Sequence, residues 1–187
     1  GGGRHDHVQI NLEDGRRLVY TDPRRFGSMD IIATTDVMSH RNLSTLGPDP
    51  TKSGFDVNTL AVSLQGRRIA AKSVLLDQRI IAGVGNIYAC EALFRAGIHP
   101  KYPVRCMSSS QWKKLLSSLR KILKQSVASG GTTLRDFHST DGSQGYYKLS
   151  LTVYGRENLP CPICTSLIKR LTQSGRSTFF CKNCQKK

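Results

Sequence analysis

The sequence predicts an α+β protein built from three successive parts, and three observations carry that expectation. Apolar and polar side chains alternate through residues 8–21 around an Asp14-Gly15 pair, apolar residues recur at three- and four-residue spacing through residues 75–123, and two Cys-x-x-Cys pairs lie at residues 161–184. Alternation is the signature of strands, the longer spacing that of helices, and paired cysteines mark a small unit closed by a metal. The expected segments are 1–50 for a β part and its linker, 51–153 for a helical part and 154–187 for the cysteine unit.

Each element has a local reason. Val8, Ile10 and Leu12 alternate with Gln9 and Asn11, which predicts a half-buried strand, and Asp14-Gly15 is a hairpin turn leading to a return strand over 18–21. A loop, Asp22-Pro-Arg-Arg-Phe-Gly27, interrupts extended structure that resumes over 28–32, and residues 34–53 read as a linker with a rigid Leu46-Gly-Pro-Asp-Pro50 turn. Asp56 caps a short helix ending near Leu64. Leu75, Leu76, Ile80 and Ile81 share a helical face, Gly83 and Gly85 break it, and Asn86 is placed to cap a second helix carrying Ile87, Cys90, Leu93 and Phe94. Gly97 and Pro100 stop that helix. Ser108-x-x-Gln111 is a capping box for a longer helix with a Trp112, Leu115, Leu116, Leu119, Ile122 and Leu123 stripe, closed by Gly130-Gly131. Its remaining positions hold Lys113, Lys114, Arg120, Lys121 and Lys124, a face open to two readings, solvation or contact with DNA. Residues 135–148 read as a loop.

Charge narrows the partners. Against 28 Lys+Arg stand 13 Asp+Glu, a net +15 over 187 residues, which favours a polyanion. No apolar run approaches a membrane span, and the basic residues are spread along the chain, so nucleic acid is a better partner than a lipid surface. A merely solvated basic surface is the bland alternative.

The most specific chemistry is Cys161-Pro-Ile-Cys164 followed by Cys181-Lys-Asn-Cys184, a C-x2-C-x16-C-x2-C pattern. Each pair sets two thiolates on one knuckle, and two knuckles close a tetrahedron around a single structural zinc with no open position. Residues 167–171 and 177–180 are expected to pair as a hairpin with Arg176 at its tip, beside Gly175. The glycine turn before Asn86 presents a helix N-terminus able to seat a phosphate, although an ordinary packed helical hairpin has the same spacing. Arg24, Arg25 and Phe26 combine phosphate- or base-reading guanidinium groups with a ring able to wedge between base pairs; a surface turn with a buried Phe fits equally. His5-Asp6-His7 lacks a third ligand for a metal and reads as a phosphate contact or a satisfied strand pair. No Ser/His/Asp set, phosphate-binding loop or HExxH helix stands out.

The motifs HDHV, TDPRRFG, LGPDP, KSVLLDQRIIAGVGNIYACEALFRAGIHP, GGTTLRDF, DGSQGYY, VYGR, CPIC and RSTFFCKNCQ occur in this order from His5 onward. In that series the chain resembles bacterial formamidopyrimidine-DNA glycosylases. The resemblance implies a remnant of an antiparallel β-sandwich, a helix–two-turn–helix domain and a C-terminal zinc-finger hairpin. It implies base-excision repair in the bacterial cytoplasm, at the nucleoid: release of oxidised purines, chiefly 8-oxoguanine and formamidopyrimidines, from double-stranded DNA, then β- and δ-elimination at the abasic site. By position, it implies a DNA phosphate contact for Asn86, DNA contacts for His5, Arg68 and Lys72, recognition of the orphaned cytosine by Arg24, and a wedge role for Phe26. Arg176 matches the arginine that grips the lesion-strand phosphate and serves as proton donor in δ-elimination, and the 135–148 loop matches the cover of the everted base. Endonuclease VIII-like enzymes for oxidised pyrimidines share the two-turn and zinc motifs, and a non-catalytic zinc-containing DNA-binding protein is the remaining alternative; the RRF element and the 135–148 loop favour the purine enzyme.

The same resemblance sets the family's proline nucleophile, its neighbouring glutamate and an assisting lysine upstream of the segment matching His5. The 187 residues are therefore expected to form a C-terminal, DNA-binding portion without excision activity of its own. Strands over 8–12 and 18–21 would then lack their flanking strands, and the 1–33 region is expected to be either poorly ordered or paired in a homodimer.

Overall fold

The computed structural model describes residues 3–129 and 151–186. It divides into two compact units, Gly1–Ser44 and Thr45–Lys187. The 135–148 loop and Gly130-Gly131 lie outside the described residues.

In the first unit β1 (Asp6–Asn11) pairs antiparallel with β2 (Arg17–Thr21), with Val8 opposite Tyr20 and Ile10 opposite Leu18. The turn closes through the Leu12 N–H on the Arg16 carbonyl, and Gly15 supplies a φ of 83° that a side chain would resist. The expected half-burial of β1 is corrected: Val8, Ile10, Leu18 and Val19 are all exposed, because no further strand packs on this two-stranded ribbon among the described residues. Residues 28–32 form no ladder, and the stretch read as a linker contains a 3-10 helix at Thr34–Ser39, followed by His40, whose ring reaches the Asp30 carboxylate at 3.3 Å.

The second unit is organised by helices. α1 (Val57–Ser63) begins at Asp56, whose carboxylate accepts from the N–H groups of Asn58 and Thr59. α2 (Ala71–Leu76) stops earlier than the apolar spacing suggests: the Asp77 carboxylate draws the Arg79 N–H and guanidinium into a turn, and the N–H groups of Ile80 and Ile81 bond back to the Asp77 carbonyl. Ile80 and Ile81 thus enter the core from a turn instead of a helix. Gln78 pins the second turn, donating to Val84 O and accepting from Gly83 N, whose φ of 79° is left-handed. α3 (Asn86–Ala96) follows and ends at Gly97, again left-handed at φ 74°. α4 (Ser109–Ala128) starts on the complete Ser108/Gln111 capping box.

Leu75, Ile81, Leu93, Leu115, Leu119 and Ile122 form the centre of the helical core, with Trp112 beside them. The Gly47-Pro48-Asp49-Pro50 segment is not linker but brace. The Gly47 N–H donates to Gln78 O, Pro48 O accepts from Ala82 N, and a Cβ on Gly47 would stand 2.6 Å from Arg79 O. Arg120, expected on the open basic face of α4, turns inward instead, bonding the carbonyls of Pro50 and Phe55 and stacking 5.6 Å from the Phe55 ring centre.

β3 (Lys169–Gln173) and β4 (Arg176–Phe180) pair antiparallel, joined by Ser174 (φ 50°) and Gly175 (φ 69°), a two-residue turn of the twist that hairpins favour. This hairpin packs on α3 through a second small core of Cys90, Phe94, Val153, Ile168 and Phe179. Helices and small antiparallel sheets in one chain make the class α+β, as expected.

Candidate nucleic-acid interface and metal centre

The metal centre is built by two knuckles. The N–H of Cys161 bonds to Ser166 O, and Thr165 (φ 62°) turns the first knuckle; Gln185 accepts from Cys181 N and ties the second to Ile98 O. The four Sγ atoms of Cys161, Cys164, Cys181 and Cys184 lie within 4.8 Å of one another, with 3.8 Å between Cys161 and Cys184 and 3.4 Å between Cys164 and Cys181. Tetrahedral zinc at about 2.3 Å from each sulfur requires edges of about 3.8 Å, so the donor set fits one zinc ion. The Ser166 N–H, the Ser166 hydroxyl and Cys181 hold the Cys164 thiol down at about 6, whereas burial and the neighbouring sulfurs push Cys184 well up. Burial also raises the Cys181 thiol, so Cys181 and Cys184 give up protons when the metal enters. Zinc affinity therefore falls as pH falls, an expectation checked by competition with a chromophoric chelator at pH 6 and pH 8.

Lys72, Asn86 and Arg176, far apart in sequence, converge in the second unit. Asn86 does not cap α3; Gly85 does, with no side-chain bond, leaving the first N–H groups of α3 without a side-chain cap. Asn86 instead donates Nδ2 to Ser177 O at 2.9 Å and to the Tyr154 hydroxyl at 3.5 Å, fastening the helix start to the zinc hairpin. Among the described residues its buried Oδ1 has no partner. Arg176 is exposed at the hairpin tip and, with Ser73, Leu76, Asp77 and Ser174, lines a cleft of about 280 Å³ beside the first turn.

Lys72 requires a correction. Its side chain has no exposed surface, so it touches no phosphate directly. Nζ donates to Thr178 Oγ1 at 2.6 Å and lies 3.4 Å from Ser177 O, anchoring β4 to α2. Burial lowers its pKa, the nearby Arg176 adds to the effect, and the Cys90 thiol opposes it. Lys72 is a positioning residue for the hairpin that carries Arg176. Arg68, four residues earlier, is exposed between α1 and α2.

The sequence reading missed Glu91. Its fully buried carboxylate accepts from the N–H groups of Thr152, Val153 and Tyr154 and from the Thr152 hydroxyl. The only hint was an acidic residue one turn after Ile87 on a largely apolar helix.

In the first unit Asp22 organises the Arg-Arg-Phe loop. Its carboxylate accepts from the N–H groups of Gly27, Arg24 and Arg25 and from the Tyr20 hydroxyl, which holds it below the usual carboxylate range, the Gly27 bond first. A side chain on Gly27 would collide with the Tyr20 hydroxyl. Arg25 is left-handed at φ 55°, and the Arg24 guanidinium lies 4.5 Å over the Phe26 ring. Phe26 is 79% exposed, which removes the buried-Phe reading of this turn. His5 is exposed just before β1, and its carbonyl accepts from Asp22 N; His7 meets Asp22 O at 2.9 Å.

These parts define a class: a helix–two-turn–helix protein with an attached four-cysteine zinc finger. Residues 46–138 match the formamidopyrimidine-DNA glycosylase H2TH domain, and residues 158–187 match the zinc finger found in FPG and IleRS. A formamidopyrimidine-DNA glycosylase of Ruegeria sp. (strain TM1040) is 46% identical over 185 residues, 98% of this chain and 65% of that protein. The crystal structure of the MutM (Fpg) protein from Thermus thermophilus superposes with a TM-score of 0.91 at 40% identity, covering 99% of this chain and 70% of that one. The Lactococcus lactis Fpg in complex with abasic-site DNA gives 0.92 at 34% identity, covering 100% and 68%. The chain belongs to the formamidopyrimidine-DNA glycosylase family. It spans 65% of the length of the Ruegeria relative. Among the described residues no helix is long and apolar enough to cross a membrane.

Proposed function

We propose that this chain carries the DNA-gripping part of a bifunctional glycosylase and abasic-site lyase that removes oxidised purines, 8-oxoguanine and formamidopyrimidines, from double-stranded DNA. The observation that carries the reading is the fastening of Asn86 to Ser177, which joins an uncapped helix N-terminus, an amide and the exposed Arg176 into one surface. A helix N-terminus with a convergent guanidinium is suited to a backbone phosphate. The division of labour follows the β part, the helical part and the zinc unit in chain order. In the first, Arg24 reads the orphaned cytosine and Phe26 fills the gap left by the flipped base, from a loop that Asp22 has already ordered. His5 and Arg68 add DNA contacts, both from exposed positions.

Arg176, besides holding the phosphate, is the proton donor for δ-elimination. Zinc supplies no chemistry in this scheme; the four cysteines hold the hairpin so that Arg176 stands beside the two turns. The Arg-Arg-Phe loop, together with the likeness to formamidopyrimidine-DNA glycosylases, supports purine over pyrimidine lesions as the substrate class, and the exposed Phe26 ring is free to enter a duplex. Such work is done on the bacterial chromosome, hence in the cytoplasm at the nucleoid. Neither the relatives nor the described residues support the homodimer expected from the exposed strands, and it forms no part of the proposal.

Phosphate contacts make affinity depend on salt, with log K falling by about 0.9 per log unit of salt for each phosphate neutralised. Arg176→Ala is expected to weaken binding to abasic, 8-oxoguanine and undamaged duplexes alike, by about tenfold, and to lower the salt slope by about one. Asn86→Ala is expected to weaken all three duplexes without changing the slope, since an amide carries no charge. Fluorescence anisotropy between 50 and 200 mM salt checks both; binding indifferent to salt would refute the phosphate reading.

A further inference from the structure

The proposed DNA surface leaves the outer face of α4 unused. Across its 20 residues α4 carries no acidic side chain, and with Arg120 turned inward four lysines remain exposed: Lys113, Lys114, Lys121 and Lys124. They run along one side with Ser110 and Ser117, and Lys113 and Lys124 stand about 17 Å apart along the axis at about 1.5 Å per residue. The described acidic residues of the second unit are engaged elsewhere: Asp49 with Thr51, Asp56 at the α1 cap, Asp77 with Arg79, Glu91 in the core and Glu157 with Arg170.

The two cores place this face. α3 meets the zinc hairpin through Cys90 and Phe94, where Asn86 also bonds Ser177, and meets α4 where the Tyr88 hydroxyl reaches Ser126 and Arg95 donates to Gln125. Going outward the order is zinc hairpin, α3, α4 and then Lys113, Lys121 and Lys124, while the Lys114 ammonium reaches back toward Gly97 at the end of α3. Packed helix axes lie about 8–10 Å apart, so Lys113, Lys121 and Lys124 are separated from Arg176 by the thickness of the helical layer.

We propose that the outer face of α4 is a second polyanion-binding surface that takes a second segment of duplex DNA while the first is held on the Asn86 and Arg176 side. This rests on the DNA reading above. A protein partner would need aromatic or large apolar anchors at the centre of its interface, and Val127, at the end of α4, is the one large apolar side chain the helix exposes. Ammonium and hydroxyl donors in a row are instead the groups that phosphate backbones take. The row covers about five nucleotide steps at about 3.4 Å of rise. Two DNA faces on one chain allow direct passage from one duplex segment to another without a free intermediate.

The test is stopped-flow anisotropy of the zinc-loaded chain on a labelled abasic-site duplex, challenged with unlabelled undamaged duplex at fixed ionic strength. The dissociation rate is expected to rise at least threefold over a tenfold increase in challenger. The variant Lys113→Gln/Lys114→Gln/Lys121→Gln/Lys124→Gln is expected to give a flat rate with affinity for the first duplex within twofold, and the corresponding quadruple Arg variant to keep the wild-type dependence. A flat wild-type rate, an unchanged dependence in the Gln variant, or a tenfold loss of its affinity for the first duplex would each overturn the second face. Equal acceleration by polyglutamate of matched charge would assign the face to acidic proteins instead. Failure of the wild type to bind the first duplex at all would bring down the DNA reading itself, and this inference with it.

Discussion

Stripping zinc from this protein is expected to unfold the hairpin of residues 161–186 while the helical core stands. The four sulfurs are spaced for one tetrahedral ion, and without it four thiols crowd within 4.8 Å in a hairpin of five-residue strands. Structural zinc contributes about 10–16 kcal/mol of binding free energy in small fingers, far more than such a hairpin supplies by itself. The helical core has its own apolar centre around Leu115, Leu119 and Ile122 and does not include the metal ligands. Chelation, or Cys164→Ser, should therefore abolish hydrogen-exchange protection in β3 and β4 and leave that of α4 and the emission of the buried Trp112 nearly unchanged. DNA affinity should fall in parallel, because Asn86 then loses Ser177 and Arg176 loses its place. Purified protein holding no zinc, or β4 amides that stay protected after chelation, would contradict the assignment.

What could be read from the sequence was what local rules govern. The Asp56 cap, the Ser108 capping box, the Gly97 stop and the cysteine spacing each depend on a few neighbouring residues, and each is found in place. The order of motifs carried the family. What could not be read depends on contacts between distant segments. Asn86 has the chemistry of an N-cap, but Ser177, 91 residues away, claims its amide and Gly85 takes the cap. Lys72 looks like any basic residue next to a DNA motif until Thr178 is found above it. Ile80 and Ile81 keep helical spacing yet sit in a turn, because Asp77 bonds its own neighbours more favourably than it continues a helix. The period-two pattern of β1 announces a buried face, while the described residues of its unit leave it exposed; alternation reports which side chains share a face, not what covers them.

Glu91→Ala is expected to be the most damaging single substitution outside the metal site. The carboxylate is wholly buried in α3 and is met by three successive backbone N–H groups, those of Thr152, Val153 and Tyr154, the middle residue being fully buried. A buried donor left without an acceptor costs about 1–3 kcal/mol, and bonds to a charged acceptor lie at the upper end, so removing the side chain should cost about 3–5 kcal/mol. Glu91→Gln tells the causes apart. Its remaining oxygen can occupy the place of Oε1, which receives all three N–H groups, and the Thr152 hydroxyl can turn to accept from the new amide. Gln should then cost about 1–2 kcal/mol, the difference between a charged and a neutral acceptor. The loss is not confined to stability. The segment that Glu91 holds ends at Tyr154, whose ring packs edge-on against Phe179 at 5.0 Å and whose hydroxyl meets Asn86. Glu91 thus acts on the proposed phosphate site from below, through the seat of the zinc hairpin. Urea unfolding followed by Trp112 fluorescence, with duplex binding measured on the same samples, should rank wild type, Gln and Ala in that order in both readouts. An alanine variant as stable as the glutamine variant would mean that the three N–H groups find other acceptors, and the proposed link from the helix interior to the DNA surface would fail.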